Sequence, residues 1–191
     1  MKVVAFNCSA RKDGNTALML ERALRELRAA GIQTELVQLA GKRVQGCTAC
    51  LTCRETMDRQ CHGRSDFGNE CIAKIDEADG VIIGSPVYFA DVTAEAKALI
   101  DRTGYVGRAN DGMLRRKVGA AVVVHRRAGA VHAFDSINHL FFISEMIVPG
   151  ASYWNMGVAG EKGAVADDEE AMRTMASLGG NMAWLLGKLH A

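Results

Sequence analysis

The chain has 191 residues, enough for one domain with a sizeable core and too few for two ordinary ones, so residues 1–191 are read as a single domain. Hydrophobic residues make up 49% and charged residues 24%, with two prolines and no biased tract, which suits a soluble α/β protein and argues against disorder. Lys and Arg total 23 against 22 acids; the net charge of +1 provides no long-range field to gather nucleic acid or an anionic membrane, and neither partner is expected.

Lys2 to Phe6 is a short apolar run of the buried-strand kind, followed by a polar turn from Asn7 to Gly14. Leu20, Ala23, Leu24, Leu27 and Ala30 then recur at helical spacing, and Gly31 closes that helix. Gln33 to Leu39 alternates as a second strand. The segment from Gly46 to about Asn69 is polar and weakly periodic, and reads as a cysteine-rich insertion after strand 2. Cys71, Ile72, Ile75 and Ala78 mark a short helix, and Gly80 to Gly84 a third strand without polar alternation. Val92, Ala96, Leu99 and Ile100 give another helix, Val118 to Val124 a fourth strand, and Phe134 to Ser144 another helical stripe. Met146 to Val148 is expected to start a short fifth strand, and a long helix from Met172 to Leu189 closes the chain with methionines as core filler.

Strands alternating with helices imply right-handed crossovers and a parallel sheet covered on both faces, a three-layer α/β sandwich. In such sheets ligands bind in loops beyond the carboxyl ends of the strands. The loops after Phe6, Gly84 and Val124 are therefore where chemistry is sought.

The first of these, NCSARKDGNT, runs into a helix. Ser9, Asn15 and Thr16 offer hydrogen-bonding side chains, Arg11 and Lys12 offer charge, and the helix start offers free N–H groups, a combination that suits a phosphate. Neither GxxxxGK[ST] nor GxGxxG is present; a solvated turn with Asn15 or Thr16 as helix cap is the alternative. The second, GSPVYFADVTAEAKALIDR, breaks a buried strand at Ser85 and Pro86 and presents Tyr88 and Phe89 at the sheet edge, where aromatic groups can pack on a flat ring.

With SxRxxxNT at Ser9, Arg11, Asn15 and Thr16, and SPVYF at Ser85 to Phe89 followed by KALIDR, the chain resembles the flavodoxin-like NAD(P)H-dependent FMN reductases, and most of all their iron–sulfur flavoprotein branch. The motifs cover Met1 to about Arg102; beyond that only the order of elements agrees. The resemblance implies a flavodoxin-like sandwich with a five-stranded parallel sheet and bound FMN. Ser9, Arg11, Asn15 and Thr16 would meet the phosphate, and Ser85, Pro86, Val87, Tyr88 and Phe89 the ribityl chain and isoalloxazine. It also implies NAD(P)H as a possible electron donor, a small-molecule or protein acceptor, and a homo-oligomer, dimer or tetramer. The third loop, HRRAGAVHAF, departs from the family's usual glycine-rich segment; His125, Arg126 or Arg127 could place charge near the pyrimidine edge of the ring, with one of the arginines expected to touch it.

The six cysteines, in a chain with no recognisable secretory signal, point away from a disulfide framework, and the protein is expected to be cytoplasmic. Cys47, Cys50 and Cys53 stand three apart, and Cys61 follows at a distance from which the chain can return. CxxCxxC with a distant fourth Cys is the usual thiolate pattern around a [4Fe–4S] cluster; structural zinc more often uses two separated CxxC knuckles. Zinc and free or redox-active thiols remain the alternatives. The iron–sulfur flavoprotein branch carries such a compact motif, and Cys61 falls at the matching place. Cys8 and Cys71 read as core packing, with Cys71 a reserve ligand, and His62 as solvated.

No Ser/His/Asp arrangement is suggested, and no catalytic side chain is expected because the flavin carries the chemistry. The expected activity is that of an FMN-dependent oxidoreductase taking electrons from NAD(P)H or another reduced donor. The rival readings are an FMN or quinone reductase without a cluster and a non-enzymatic flavodoxin-like carrier, the latter disfavoured by the near-zero charge.

Overall fold

In β1 (Lys2–Asn7) every residue after Lys2 is buried, which places the strand inside a sheet covered on both faces. The computed structural model, which describes residues 1–191, shows this arrangement. The sheet has five strands in the order β2-β1-β3-β4-β5, all pairs parallel, with β2 at Gln33–Gln38, β3 at Gly80–Pro86, β4 at Val118–His125 and β5 at Met156–Val158. It is the expected flavodoxin-like α/β sandwich.

The alternation of strand side chains divides the core. Val3, Ala5, Ile82, Ala120 and Val122 face α1 (Asn15–Ala29) and α6 (Glu169–Leu189), which supply Leu20, Leu24, Leu27, Met175, Leu178 and Met182. Val4, Phe6, Val81, Ile83, Ala121 and Val123 face α3 (Gly68–Glu77), α4 (Ala94–Ala109) and α5 (Ala130–Ile143), which supply Ile75, Leu99, Ile137 and Phe141. Each Val, Leu, Ile, Met or Phe among them contributes roughly 1.5–3 kcal/mol on burial.

The strand registers align the ends that matter. Asn7 pairs with Gly84, Pro86 with Val124, and His125 with Val158, so the loops leaving β1, β3, β4 and β5 emerge at one edge. Thr93 locks two of them together: its hydroxyl donates to the Cys8 carbonyl at 2.9 Å and accepts the Ala96 N–H at 3.2 Å as the cap of α4.

The expected fifth strand is displaced. At Met146–Val148 only an isolated bridge from Ile147 to Val118 forms, at the entrance of β4, whereas Met156–Val158 pairs with Val123–His125 at its exit. The apolar run imitated a strand, but the three-residue true strand is too short to show periodicity. The segment between β2 and α3 holds a five-residue helix, α2 (Thr52–Thr56), that packs on α4. No helix is long and apolar enough to cross a membrane.

Candidate active site

A cleft of about 160 Å³ opens where the carboxyl ends of β1, β3 and β4 meet. Ser9, Arg11, Asn15 and Thr16 line one side, Pro86, Val87 and Tyr88 the second, and His125 and Arg126 the third. The three loops named from the sequence thus converge. Val124, Ala159 and Gly160 also line it. Ala159 and Gly160 were missed because they follow the displaced β5; the small residues around Gly157 were the signal.

The start of α1 faces this cleft with no side-chain cap, since Gly14 occupies the capping position. Its first N–H groups and the positive end of the helix dipole are available to an anion. Ser9 is buried, its hydroxyl accepting the Arg11 N–H at 3.1 Å, while Arg11 itself is exposed. Asn15, which lines the cleft, also bonds to the segment after β5. Its Nδ2 donates to the Glu161 carbonyl at 2.7 Å, and its Oδ1 accepts the Gly163 N–H at 2.8 Å, tying the segment after β5 to the helix.

Ser85 lies beneath the cleft, fully buried, where its hydroxyl accepts the Thr93 N–H at 3.1 Å. Past Pro86 the chain makes a two-residue reversal. Tyr88 and Asp91 exchange backbone hydrogen bonds at 2.8 and 3.1 Å, and Phe89 and Ala90 both take positive φ, 48° and 67°. This turn leaves the Phe89 ring fully in solvent and Tyr88 half exposed at the rim. Non-glycine residues in this region cost roughly 1–2 kcal/mol each, and such strain collects at functional sites.

Asp91 anchors the turn. Burial works to raise its carboxyl, but the Val92 N–H at 2.7 Å, the Ser136 hydroxyl at 2.8 Å and His132 at 3.4 Å hold it below the usual range. Gly129, at φ 85°, lets the third loop pack on the turn, because a Cβ there would stand 2.7 Å from the Ala90 Cα. At the end of β4, just before that third loop, His125 lines the cleft, and its Nδ1 is buried without a hydrogen-bond partner. A buried polar atom of this kind lacks the partner that most such atoms have within the protein. Uncapped helix, orphaned imidazole and adjoining aromatic turn fit a phosphorylated ring compound such as FMN.

A larger hollow of about 530 Å³ lies between α4 and α5, lined by Tyr105, Arg108, His139 and Leu140 among others. None of the residues of the SxRxxxNT and SPVYF motifs lines it, so the smaller cleft is the better candidate.

The cysteine segment sits on the α3/α4 side. Cys53 and Cys61 are buried against Ile72 and Val106, whereas Cys47 is half-buried and Cys50 exposed. Cys47 Sγ accepts the Ala49 N–H at 3.3 Å, and Thr52 and Thr48 bring the Cys50 thiol down to about 7. Burial, with Cys61, Cys47 and Cys50 as neighbours, pushes the Cys53 thiol up. As folded, no three His, Cys, Asp or Glu side chains form a metal-holding group. The donor chemistry nevertheless fits an iron–sulfur cluster: four thiols lie on one short segment whose Ala49, Leu51, Met57 and Arg59 all hold positive φ. His62 is engaged by Asp58 at 2.8 Å. Cys71 is fully buried on α3, pushed up to about 12 by burial, and packs in the core as expected, as does Cys8.

An open parallel sheet in this order, with a phosphate-ready helix start and an aromatic turn at its carboxyl edge, defines a flavodoxin-like protein. Solved structures agree on the fold. The chain superposes on RosB, solved with 8-demethyl-8-formylriboflavin-5'-phosphate bound, with a TM-score of 0.73 at 19% identity, covering 100% of this chain and 80% of that one. It superposes on the Trp repressor binding protein from Bacillus subtilis with a TM-score of 0.68 at 16% identity, covering 92% and 96%. Residues 1–161 match the NADPH-dependent FMN reductases, and the chain belongs to that family, an FMN-dependent oxidoreductase. Among its relatives, an iron–sulfur flavoprotein of Methanocaldococcus jannaschii is 37% identical over 195 residues, covering 96% of each chain. Another, of Archaeoglobus fulgidus, is 33% identical over 183 residues, covering 96% of this chain and 79% of that one.

Proposed function

We propose that this oxidoreductase carries FMN in the cleft between β1, β3 and β4 and a [4Fe–4S] cluster on Cys47, Cys50, Cys53 and Cys61. It moves electrons from NAD(P)H or another reduced donor to a small-molecule or protein acceptor. The observation that carries the reading is the convergence of the uncapped α1 start, the Pro86–Tyr88 segment that leads into the strained turn, and the His125 side chain on one cleft. When bound, FMN supplies the exchange between two-electron and one-electron transfer, and a cluster accepts one electron at a time.

The protein's own work is positioning. The α1 N–H groups, Ser9, Thr16 and Arg11 bind the phosphate, and Asn15 holds the segment after β5 against them. Pro86, Val87, Tyr88 and Phe89 orient the ring and shield one side of it from water. His125 and Arg126 place a hydrogen bond and a positive charge at its polar edge, where reduction gathers negative charge. The exposed rings of Tyr88 and Phe89 support a homo-oligomer in which a second copy of the chain covers the cleft.

Anaerobic purification followed by a visible spectrum and assays of flavin, iron and sulfide tests both cofactors. The expected result is bound flavin with about four irons per chain, the complement of a [4Fe–4S] cluster. Cys50→Ala is expected to lose the iron and keep the flavin. Protein that is colourless and takes up no added FMN would end the reading. A cluster-free FMN or quinone reductase is the second reading, favoured by the absence of a preformed metal-holding group; flavin without iron or sulfide identifies it.

A further inference from the structure

Arg102 stands on the inner face of α4, 1% exposed, in a helix whose neighbouring inward residues are Leu99, Thr103 and Val106. A fully buried guanidinium is costly unless its charge and all its N–H groups are matched. Asp66, whose side chain is 0% exposed, matches the charge by an ion pair to Nη1, and the Gln45 carbonyl lies 3.4 Å from the same nitrogen. Nε and Nη2 have no hydrogen-bond partner of good geometry. Two buried donors of a charged group left unmatched are a large and specific debt.

Cys61 is buried against Val106, one turn along α4, and is close enough to favour the charged guanidinium, although no hydrogen bond of good geometry joins its sulfur to Nε or Nη2. Cys61 is itself held in place. Its N–H donates to Asn69 Oδ1 at 2.9 Å and its carbonyl accepts from Asn69 Nδ2 at 3.0 Å. Gly68 leaves the space for the guanidinium, since a Cβ there would fall 2.2 Å from Arg102 Nη1. A neutral thiol is a poor acceptor, whereas a metal-bound thiolate is a charged one.

We infer that Arg102 is a positioning residue for the iron–sulfur centre, its unpartnered Nε–H and Nη2–H donating to the Cys61 sulfur once that sulfur is a thiolate ligand. This rests on the reading that the four cysteines hold a cluster. Hydrogen bonds to ligand sulfurs and nearby positive charge favour the reduced, more negative cluster and raise its potential. Asp66 orients the guanidinium through Nη1 and leaves the other edge of the fork for sulfur.

The test begins with iron and sulfide in the anaerobically purified parent; their absence there overturns the cluster reading and this inference together. In iron-loaded parent labelled with ¹⁵N-arginine and reduced, pulsed EPR is expected to detect arginine nitrogen coupled to the cluster; no such coupling overturns the inference alone. Redox titration of Arg102→Lys, and of Arg102→Gln combined with Asp66→Asn so that no lone charge is buried, supplies the second readout. The double variant is expected to hold the parent's iron while its cluster reduction equilibrium shifts about tenfold toward the oxidised form, about 59 mV lower for a one-electron couple. The FMN couple in the same molecule stays fixed. Arg102→Lys, which keeps charge without the fork, is expected between the two. Iron content and cluster potential equal to the parent's in both variants overturn the assignment.

Discussion

Asn15 and Gly163 are joined by a 2.8 Å hydrogen bond across 148 positions of sequence, so the first residue of α1 also fixes the loop that closes the cleft beyond β5. Asn15→Ala removes that bond and the one to the Glu161 carbonyl, leaving loop polar groups to find water. The expected cost is about 1–3 kcal/mol of stability. FMN and riboflavin should weaken together, because the loop rather than a phosphate contact is lost. Fluorescence titration with both flavins checks this.

Arg11 gives the opposite pattern. It is exposed, and no hydrogen bond from its side chain holds the fold together. Arg11→Ala is expected to leave the unfolding midpoint unchanged and to weaken FMN about tenfold or more, as befits a lost bond to a charged group. Riboflavin, lacking the phosphate, should bind as before. The same pair of titrations separates the two residues.

Gly129→Ala sets a methyl 2.7 Å from the Ala90 Cα at a position with φ 85°. Overpacking of this kind costs about 1–3 kcal/mol, and the left-handed backbone adds to it. The turn at Phe89 and Ala90 must then move, so weaker flavin binding should accompany a lower melting temperature. A variant with both unchanged would show that the third loop does not brace the turn.

Acid should expose two carboxylates. Burial works to raise Asp66, but the Arg102 guanidinium and the N–H groups of Gln45 and Gly68 overcome it and hold it below the ordinary range; Asp91 is depressed in the same sense. Between the depressed folded values and the ordinary value of about 3.9, the unfolded chain carries more protons, so stability rises with pH there. The contribution is complete above the ordinary value and disappears as pH falls through the folded ones. Urea midpoints are expected to be level from pH 7 to about pH 5 and to fall below that. In Asp66→Asn the fall should be shallower.

Much of this was legible in advance. Every helix except α2 follows from a buried apolar stripe, and the first four strands from alternation or from unbroken apolar runs, while the loops after Phe6, Gly84 and Val124 followed from the parallel sheet those elements imply. Met146–Val148 misled because an apolar run carries the same pattern whether it pairs along a strand or, as at Ile147, through one bridge. Arg102 was passed over, although it falls three residues after Leu99 and four before Val106, on the apolar face of α4. A charge on such a face was the signal for a buried ion pair, but its partner Asp66 lies 36 positions away and no local pattern links them.

By itself, then, the order of residues determined the class of fold, the sheet edge at which the candidate cleft opens and the segment that gathers four thiols, because these depend on local patterning and residue type. The tertiary structure alone decided which polar groups meet. It gave Asn15 to the segment after β5 and Asp66 to Arg102, and it left His125 Nδ1 and two guanidinium donors without protein partners. Hydrogen-bond matching is settled at distances of about 3 Å between groups remote in sequence, and only the folded chain brings them there.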